Sequence, residues 1–184
     1  MAVLGRHPEG GVATIVARKK VEFFKVYDEI NQNFSKTYER LSNGGKAELL
    51  LENAESPFDG GMSMRAQPPG KKVTRLEALS GGEKSLTSMA FIFAIQEFDP
   101  SPFYYLDEVD QNLDGINSEL LSRMVKEEAK HAQFIIVSLR KVTLKEAEHV
   151  YGVTMTELGL SEIIGEVRIS ELADEPAPQE APPA

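Results

Sequence analysis

Two short, uninterrupted apolar segments constrain the fold of this chain more than any other feature. Residues 103–106 (Phe-Tyr-Tyr-Leu) and 134–137 (Phe-Ile-Ile-Val) consist of consecutive apolar residues. Segments of this kind are typical of strands that are buried on both faces of a parallel sheet. A helix is predicted between them, at about residues 115–130, and strand–helix–strand is the unit that connects parallel strands. The chain is therefore predicted to have an α/β fold with a layered sheet.

The other predicted elements follow from apolar periodicity and from turn residues. In the first helix, Phe23, Tyr27, Ile30, Phe34 and Leu41 recur at helical spacing and form one seam. This spacing is compatible with the heptad repeat of a coiled coil as well as with ordinary amphipathic packing. Clusters of Gly, Pro, Asn and Asp separate the elements. The predicted helices cover residues 13–42, 83–98 and 143–148, and the predicted strands cover residues 47–52, 62–66, 151–154 and 166–169.

Composition argues against several classes of protein. The formal net charge of −9 does not suggest a nucleic-acid coat, so any DNA contact has to come from a local basic patch. The absence of cysteine excludes disulfides and thiolate metal sites and fits a reducing, intracellular setting. No apolar run approaches the roughly 20 residues that span a bilayer, and the first residues lack the apolar region of a signal peptide. Membrane spanning and secretion are not expected.

A glycine-rich loop, residues 79–82 with the sequence Leu-Ser-Gly-Gly, comes directly before the predicted helix 83–98. Adjacent glycines let the backbone approach a ligand closely. The start of a helix presents unpaired N–H groups and the positive end of the helix dipole. Ser80 adds a hydroxyl donor, so the loop is a candidate anion-binding site. The alternative is a purely structural helix cap made by Ser80.

Two carboxylates, Asp107 and Glu108, follow the first apolar segment directly. A strand that ends in this way places both groups at the carboxyl edge of the sheet, where ligands bind in α/β folds. One carboxylate can hold Mg²⁺ while its neighbour polarises an attacking water. The alternative is a solvated acidic turn after the strand.

Two further polar positions follow the same pattern. An acidic loop, residues 109–114, ends in Asp114, and the second apolar segment is followed by Ser138. Taken singly, Asp114 is explained as the cap of the next helix. Ser138 is explained as an ordinary strand end. Only the combination of all four features indicates a function for these residues.

In this order, the features resemble the C-terminal half of an ABC-type ATPase, with its signature motif, Walker B motif, D-loop and switch region. Within that class, three stretches resemble the C-terminal head lobe of a prokaryotic structural maintenance of chromosomes (SMC) protein: LSGGEKSLTSMAFIFAIQ, YYLDEVDQNLD and IIVSLR. The resemblance covers about residues 19–167, which is nearly the whole chain apart from its ends.

The resemblance implies a P-loop NTPase fold of the ABC type, of which this chain supplies the C-terminal lobe with a protruding coiled-coil helix stub. The implied division is a linker or terminal remnant at residues 1–16, a coiled-coil base helix at 17–42, the ATPase lobe at 43–172 and a disordered tail at 173–184. Composition also predicts the tail, because its Pro-, Ala- and Glu-rich sequence has nothing to bury.

ATP and Mg²⁺ are the cofactors that the resemblance implies. Asp107 would help to hold Mg²⁺, Glu108 would orient and deprotonate the attacking water, and Ser138 would lie close to the γ-phosphate. Transporter ATPases carry a histidine after the position of Ser138, whereas this chain has Leu139. That difference favours an SMC-like protein over a transporter.

The same resemblance implies that a second head binds through the glycine-rich loop. Ser80, Gly81 and Gly82 would contact the γ-phosphate of ATP bound on the opposing head, with Lys84 nearby. Asp114 would communicate across the junction. ATP would then join two heads, and hydrolysis would loosen them.

The string G-x-x-x-x-G-K-[ST], which cradles phosphates in a P-loop, does not occur in the chain. In the family that the chain resembles, the P-loop lies at the other end of a much longer polypeptide. We therefore expect this chain alone to bind ATP weakly and to hydrolyse it negligibly. It would require the N-terminal P-loop lobe to complete its sheet, and without it would expose a sheet edge and apolar surface.

Further partners implied by the resemblance are a kleisin winged-helix domain and DNA, for a cytoplasmic, nucleoid-associated protein. The kleisin is expected near residues 149–169. The candidate DNA contacts are basic residues whose presence ordinary solvated charge also explains: Arg18, Lys19, Lys20, Lys71, Lys72 and Arg75.

Three alternatives remain open from the sequence. A DNA double-strand-break repair ATPase of the same superfamily would carry a zinc-hook CxxC on a coiled coil outside this chain. A transporter nucleotide-binding domain is disfavoured by the coiled-coil-like first helix and by Leu139. A non-catalytic ABC-like docking module has no chemical need for both Asp107 and Glu108.

Overall fold

The computed structural model describes residues 9–168 and combines helices with small sheets. The helices are α1 (Glu9–Leu41), α2 (Gly81–Phe98), α3 (Gly115–Glu128) and α4 (Lys141–Glu146), with a turn of 3₁₀ helix at Leu76–Ala78. The strands are β1 (Lys46–Leu51), β2 (Met62–Gln67), β3 (Thr74–Arg75), β4 (Phe103–Asp107), β5 (Gln133–Val137), β6 (His149–Met155) and β7 (Ser161–Arg168). Among these described helices, none is long and apolar enough to cross a bilayer.

Helix α1 begins at Glu9, earlier than predicted, so it takes in the last part of the segment predicted as a linker, residues 1–16. Gly10 and Gly11 lower the helix propensity but do not end the helix, because extending an existing helix needs no new nucleation step. Helices α2 and α4 also begin earlier than predicted. The side chains of residues 12–18 are exposed on every face of α1, so this part of the helix projects from the rest of the protein.

The C-terminal half of α1 lies at the centre of the core. Phe34 and Leu41, on the seam predicted from the sequence, are fully buried. The ring of Phe34 packs edge-to-face on Phe91 of α2 with 5.8 Å between centroids, which is within the preferred range for aromatic pairs. The Tyr27 hydroxyl donates to the carbonyl O of Leu49 at 2.7 Å. Helix α1 therefore anchors both α2 and the first strand.

Strands β1, β2 and β3 form an antiparallel sheet in that order. Side chains alternate along β1, so that Ala47 and Leu49 enter the core while Lys46 and Glu48 face solvent. The chain leaves β3 through the 3₁₀ turn and reaches Leu79, which is buried. This sheet therefore sets the position of the glycine-rich loop.

Strands β4 and β5 pair in parallel with α3 between them in sequence, as the two apolar segments predicted. The prediction that both faces of these strands are buried is wrong for the described residues. Leu106 faces the core, whereas the side chains that alternate with it lie on a face that no described element covers. The apolar surface expected without a second lobe is therefore present, and we call it the open sheet face. It consists of Phe103, Tyr105, Ile135 and Val137.

Strands β6 and β7 form an antiparallel hairpin with an irregularity between Gly152 and Val153. The hairpin is longer than predicted, because β7 already begins at Ser161. The adjacent Ile163 and Ile164 are both exposed, so β7 lacks the inside–outside alternation that marks a strand in a sequence. Ile169 and the predicted tail 173–184 lie outside the described residues.

Candidate functional site

The carboxyl ends of β4 and β5 lie side by side and bring three predicted site residues to one edge of the sheet. Asp107 is the last residue of β4 and pairs in register with Val137, the last residue of β5. The amide N–H of Glu108 donates to the carbonyl O of Val137 at 2.9 Å, which places Glu108 beside the backbone that leads into Ser138. Asp107 and Glu108 are exposed. Both carboxylates are therefore accessible to a ligand at this edge.

Glu108 has a left-handed backbone conformation, with a φ of 48°. A residue with a Cβ atom occupies this region at a cost of about 1 kcal/mol or more, and such residues are concentrated at functional sites. Asn43 has a similar φ of 55°, but Asn just after a helix is a common cap in this conformation. The strain at Glu108 has no such ordinary explanation, which supports a functional role for this position.

Ser80 is the N-cap residue of α2. The prediction that Ser80 caps this helix is therefore correct. The Ser80 amide and hydroxyl both donate to Glu83 Oε2, at 3.0 and 2.8 Å. The Lys71 ammonium donates to Glu83 Oε1 at 2.7 Å. The hydrogen bond from Lys71, followed by that from the Ser80 amide, lowers the pKa of Glu83 to about 2. An incoming anion would have to compete with the Glu83 carboxylate for the Ser80 hydroxyl.

The two glycines of the loop have different surroundings. A Cβ atom on Gly82 would lie 2.6 Å from the carbonyl O of Asn112, whereas a Cβ atom on Gly81 would have nothing within 4 Å. Gly82 therefore permits the close approach of the glycine-rich loop to the acidic loop, and Gly81 faces open space. The amide N–H of Lys84 donates to the carbonyl O of Ser80 at 2.9 Å in the first turn of α2.

The glycine-rich loop and the acidic loop share one cleft of about 480 Å³, which Ser80, Gly82, Asn112 and Asp114 help to line. Asp114 caps α3, because its Oδ1 accepts from the amide N–H of Asn117 at 2.8 Å. The starts of α2 and α3 therefore both border the cleft. Each contributes a positive helix-dipole end, and each carries a carboxylate, that of Glu83 or of Asp114, in the same lining. Ser80 and Asp114 thus belong to this cleft, while Asp107, Glu108 and Ser138 belong to the sheet edge.

Asp110, which is not among the site residues predicted from the sequence, connects the acidic loop to the sheet edge. Its side chain is 2% exposed. Its Oδ2 accepts hydrogen bonds from the hydroxyls of Ser138, at 2.5 Å, and of Thr143. A signal was present in the sequence, since Asp110 lies between the apolar residues Val109 and Leu113, which pack in or against the core and carry it inward.

Several basic residues proposed as DNA contacts have partners within the chain. Lys71 forms the ion pair with Glu83. The Lys19 ammonium lies 4.1 Å from the ring centroid of Phe58, and the Lys20 ammonium donates to the carbonyl O of Glu55. These contacts account for part of the basic set without nucleic acid, and DNA binding through it stays a prediction.

The carboxylates at the sheet edge suit a Mg²⁺ ion that is bound together with phosphates. No group of three or more potential metal ligands is found among the described residues. Mg²⁺ in nucleotide sites takes one or two carboxylates and fills its other positions with water and phosphate oxygens. The exposed Asp107 and its neighbour Glu108 meet that requirement.

The chain is similar to known proteins over most of its length. Residues 15–162 match the family model for the RecF/RecN/SMC N terminal domain. The chain is 46% identical over 150 residues to a chromosome partition protein Smc from Pyrococcus furiosus, which covers 82% of this chain. The chain spans only 12–13% of the length of the curated relatives that it matches.

Solved structures with the same fold include two SMC proteins. One chain, from a study of ATP-driven dimerization and DNA stimulated activation of SMC ATPases, is 42% identical with a TM-score of 0.75, over 84% of this chain and 92% of that one. Another is an SmcHead bound to the C-winged helix domain of ScpA, 43% identical with a TM-score of 0.78, over 85% of this chain and 48% of that one.

Proposed function

The chain belongs to the RecF/RecN/SMC N-terminal domain family, and on that premise we propose that it is the C-terminal lobe of an SMC ATPase head. In this role it supplies one half of an ATP-hydrolysing site in chromosome condensation and segregation. The observation that carries the proposal is the placement of the glycine-rich loop and the Asp107–Glu108 edge at two separate positions, joined by the acidic loop. The absence of G-x-x-x-x-G-K-[ST] from the sequence supports the assignment to the lobe that lacks the P-loop.

At the sheet edge, this lobe contributes the residues that act on ATP held by a P-loop lobe. Asp107 would hold Mg²⁺, directly or through water, and the ion would supply positive charge to the phosphates. Glu108 is the general base that orients and deprotonates the attacking water. Its exposed carboxylate and its fixed, strained backbone suit this role. Ser138 lies near the γ-phosphate at the same edge.

At the cleft, the lobe recognises ATP bound on an opposing head. Ser80, Gly81 and Gly82 contact the γ-phosphate there, with Lys84 nearby and Asp114 across the junction. Gly81, which faces open space, and the dipole of α2 favour close approach of an anion. Loss of one charge-assisted hydrogen bond of this kind costs about 1.5–3 kcal/mol, which is enough to shift the association of two heads at least tenfold.

The remaining partners are assigned to surfaces that the described chain leaves open. The open sheet face suits the N-terminal P-loop lobe, which would extend and cover the sheet. The exposed apolar side chains of the β6–β7 hairpin suit a protein partner. We assign a kleisin winged-helix domain to it, because a solved relative is bound to the C-winged helix domain of ScpA. DNA would be bound through basic residues such as Lys72 and Arg75, which are exposed. Similarity to chromosome partition proteins favours this function over a repair ATPase.

Glu108→Gln in a head assembled from this chain and its P-loop lobe tests the function directly. Hydrolysis should fall by about a hundredfold or more, because Gln cannot accept the proton of the attacking water. ATP-dependent association of heads should persist and last longer, since the triphosphate is not consumed. Phosphate release and light scattering measure the two effects. Glu97→Gln, an exposed change on α2, is the control, and a Glu108→Gln head that hydrolyses ATP at the parent rate would refute the assignment.

Ser80→Arg tests the role of the glycine-rich loop in trans. The bulky cation should block the approach of the opposing nucleotide, so heads should no longer associate with ATP, while ATP binding by the P-loop lobe stays unchanged. Light scattering and nucleotide-binding titrations report these two quantities. Ser101→Arg, on the exposed turn before β4, is the matched control. Unchanged association of the Ser80→Arg head would exclude contact with a second nucleotide.

A further inference from the structure

The Ser138 hydroxyl has one proton, and the groups around the hydroxyl determine the direction in which it donates that proton. Ser138 Oγ lies 2.5 Å from Asp110 Oδ2 and 3.0 Å from the amide N of Arg140. A backbone amide only donates, and a carboxylate oxygen accepts. Ser138 therefore accepts from Arg140 and donates to Asp110. Because a hydroxyl oxygen has two acceptor positions, one of them remains for another donor.

The surroundings of Asp110 keep it in this role. Its side chain is almost fully buried, and the Thr143 hydroxyl donates to the same Oδ2. The cavity beside it measures about 10 Å³, which leaves room for one water at most. An acceptor that is buried this deeply is costly to leave without its donors, so the bond from Ser138 to Asp110 is strongly favoured.

Arg140 fixes the same segment to two other elements. Its guanidinium donates to the carbonyl O of Gln111 in the acidic loop at 3.0 Å and to Ser118 Oγ on α3 at 3.2 Å. Together with Asp110, these contacts hold the chain after β5 against the acidic loop. The orientation of Ser138 at the sheet edge is therefore determined by the fold.

We propose that Asp110 is a positioning residue that makes Ser138 a hydrogen-bond acceptor for the attacking water. The inference rests on the proposed function. Oxygens of the γ-phosphate accept hydrogen bonds, so a serine that gives its proton to Asp110 has none to donate to them. A water molecule does donate, and the remaining acceptor position of Ser138 suits it. Ser138 then orients the water whose other proton Glu108 removes.

The chemical step balances with these groups. The water oxygen forms a bond to the γ-phosphorus, the bond from that phosphorus to the bridging oxygen breaks, and ADP leaves with the electron pair. One water proton passes to the Glu108 carboxylate and then to solvent. The other proton is held towards Ser138 Oγ throughout. Asp110 exchanges no proton in this scheme and acts only through Ser138.

Ser138→Ala in the assembled two-lobe head separates a contact with water from a contact with phosphate. If Ser138 accepts from the water, kcat should fall about tenfold while the KM for ATP stays within about twofold, since a single hydrogen bond to the nucleophile is lost. If Ser138 donated to the γ-phosphate of bound ATP, KM would rise. A rise in KM with unchanged kcat would overturn the proposal.

Asp110→Asn tests the positioning residue itself. The Asn amide can donate to Ser138 and so release the serine proton towards the phosphate, which should lower kcat about tenfold or more without raising KM. Asp59→Asn, in the exposed β1–β2 loop, is the control. An Asp110→Asn head with the parent kcat would overturn the proposal.

The double variant Asp110→Asn/Ser138→Ala distinguishes positioning from a general structural effect. Because Asp110 acts through Ser138, the double variant should be no slower than Ser138→Ala by more than about twofold. If the double variant instead lost kcat by the product of the two single losses, the proposal would be overturned. If Asp110→Asn failed to assemble, as judged by thermal unfolding, the kcat and KM of Ser138→Ala alone would decide.

Parent and Glu108→Gln heads are assayed alongside these variants. Parent hydrolysis that Glu108→Gln abolishes upholds the proposed function, and the Ser138 and Asp110 variants then test the inference alone. A parent head without ATPase activity would reject the proposed function and the inference with it.

Discussion

Glu83 shows how a single residue combines a local structural role with a position in a functional loop. Its carboxylate accepts from Ser80 and pairs with Lys71. It thus occupies donors of the loop that we assign to a nucleotide. The sequence predicted that Ser80 either caps a helix or binds an anion; the structure shows the cap, and under the proposed function the two roles would alternate. A phosphate that replaces Glu83 would take over hydrogen bonds that already exist.

The low pKa of Glu83 leads to a prediction for stability against pH. The folded-state pKa of about 2 is below the ordinary value of 4.5, chiefly because of the hydrogen bond from Lys71. The ionised form is therefore favoured by folding, so its stabilisation is fully present above about pH 4.5 and is lost as the pH falls towards 2. Thermal unfolding from pH 5 to 2 should show a smaller loss of stability in Glu83→Gln than in the parent.

Glu97→Gln is the control for this experiment, because Glu97 is an exposed carboxylate on the same helix. Its pH dependence should follow that of the parent. Equal slopes for the parent and for Glu83→Gln between pH 5 and 2 would contradict the cause given for the lowered pKa.

At the scale of elements, the start of α2 packs against the acidic loop with no space for a side chain at Gly82. A Cβ atom added to Gly82 would lie 2.6 Å from the carbonyl O of Asn112. At this distance one of the two segments would have to move. The glycine-rich loop thus has a packing requirement at one glycine and an open, ligand-accessible position at the other. The sequence shows both glycines but does not distinguish their roles.

Gly82→Ala and Gly81→Ala form a matched pair that tests this difference. The alanine at 82 should destabilise the chain by about 1–3 kcal/mol, because backbone has to shift to admit the methyl group. The alanine at 81 meets nothing within 4 Å and should leave stability nearly unchanged or slightly raise it, since alanine favours a helix. Urea unfolding measures both. Equal effects of the two changes would contradict the close approach of the two loops.

On the scale of the whole molecule, the open sheet face is an apolar surface that no described element covers. Tyr105 is 59% exposed and Ile135 is 46% exposed, although both lie in strands of a parallel sheet. Parallel sheets are almost always covered on both faces. The fold is therefore incomplete as a sheet, which agrees with the proposal that a P-loop lobe completes it.

Ile135→Lys should reveal this surface. On its own, the parent chain is expected to self-associate through the open sheet face, and a charge at its centre should weaken that association by roughly tenfold, the effect of losing about 1.4 kcal/mol of apolar burial. The variant should also fail to bind the P-loop lobe. Ile116→Lys, at another exposed isoleucine, is the control. Sedimentation velocity that showed the same behaviour for both variants would exclude the assigned surface.

Much of the architecture follows from sequence alone, because local patterns carry it. The apolar segments before Asp107 and Ser138 predicted a parallel pair of strands, and the Ser80 and Asp114 caps followed from residues that satisfy the first N–H groups of a helix. Motif order led to the family to which the chain belongs. Such signals depend on residues close together in the chain, so they can be read before any tertiary contact is known.

Only the tertiary structure decided the features that depend on residues far apart in the chain. Asp110 and Ser138 meet across 28 positions, and no periodicity marks either of them as a partner of the other. The open sheet face has the same apolar sequence as a buried one, because burial depends on which other element covers a strand. Hydrogen-bond partners and covered faces are properties of the assembled molecule, and they determine which of the sequence's candidate residues can act together.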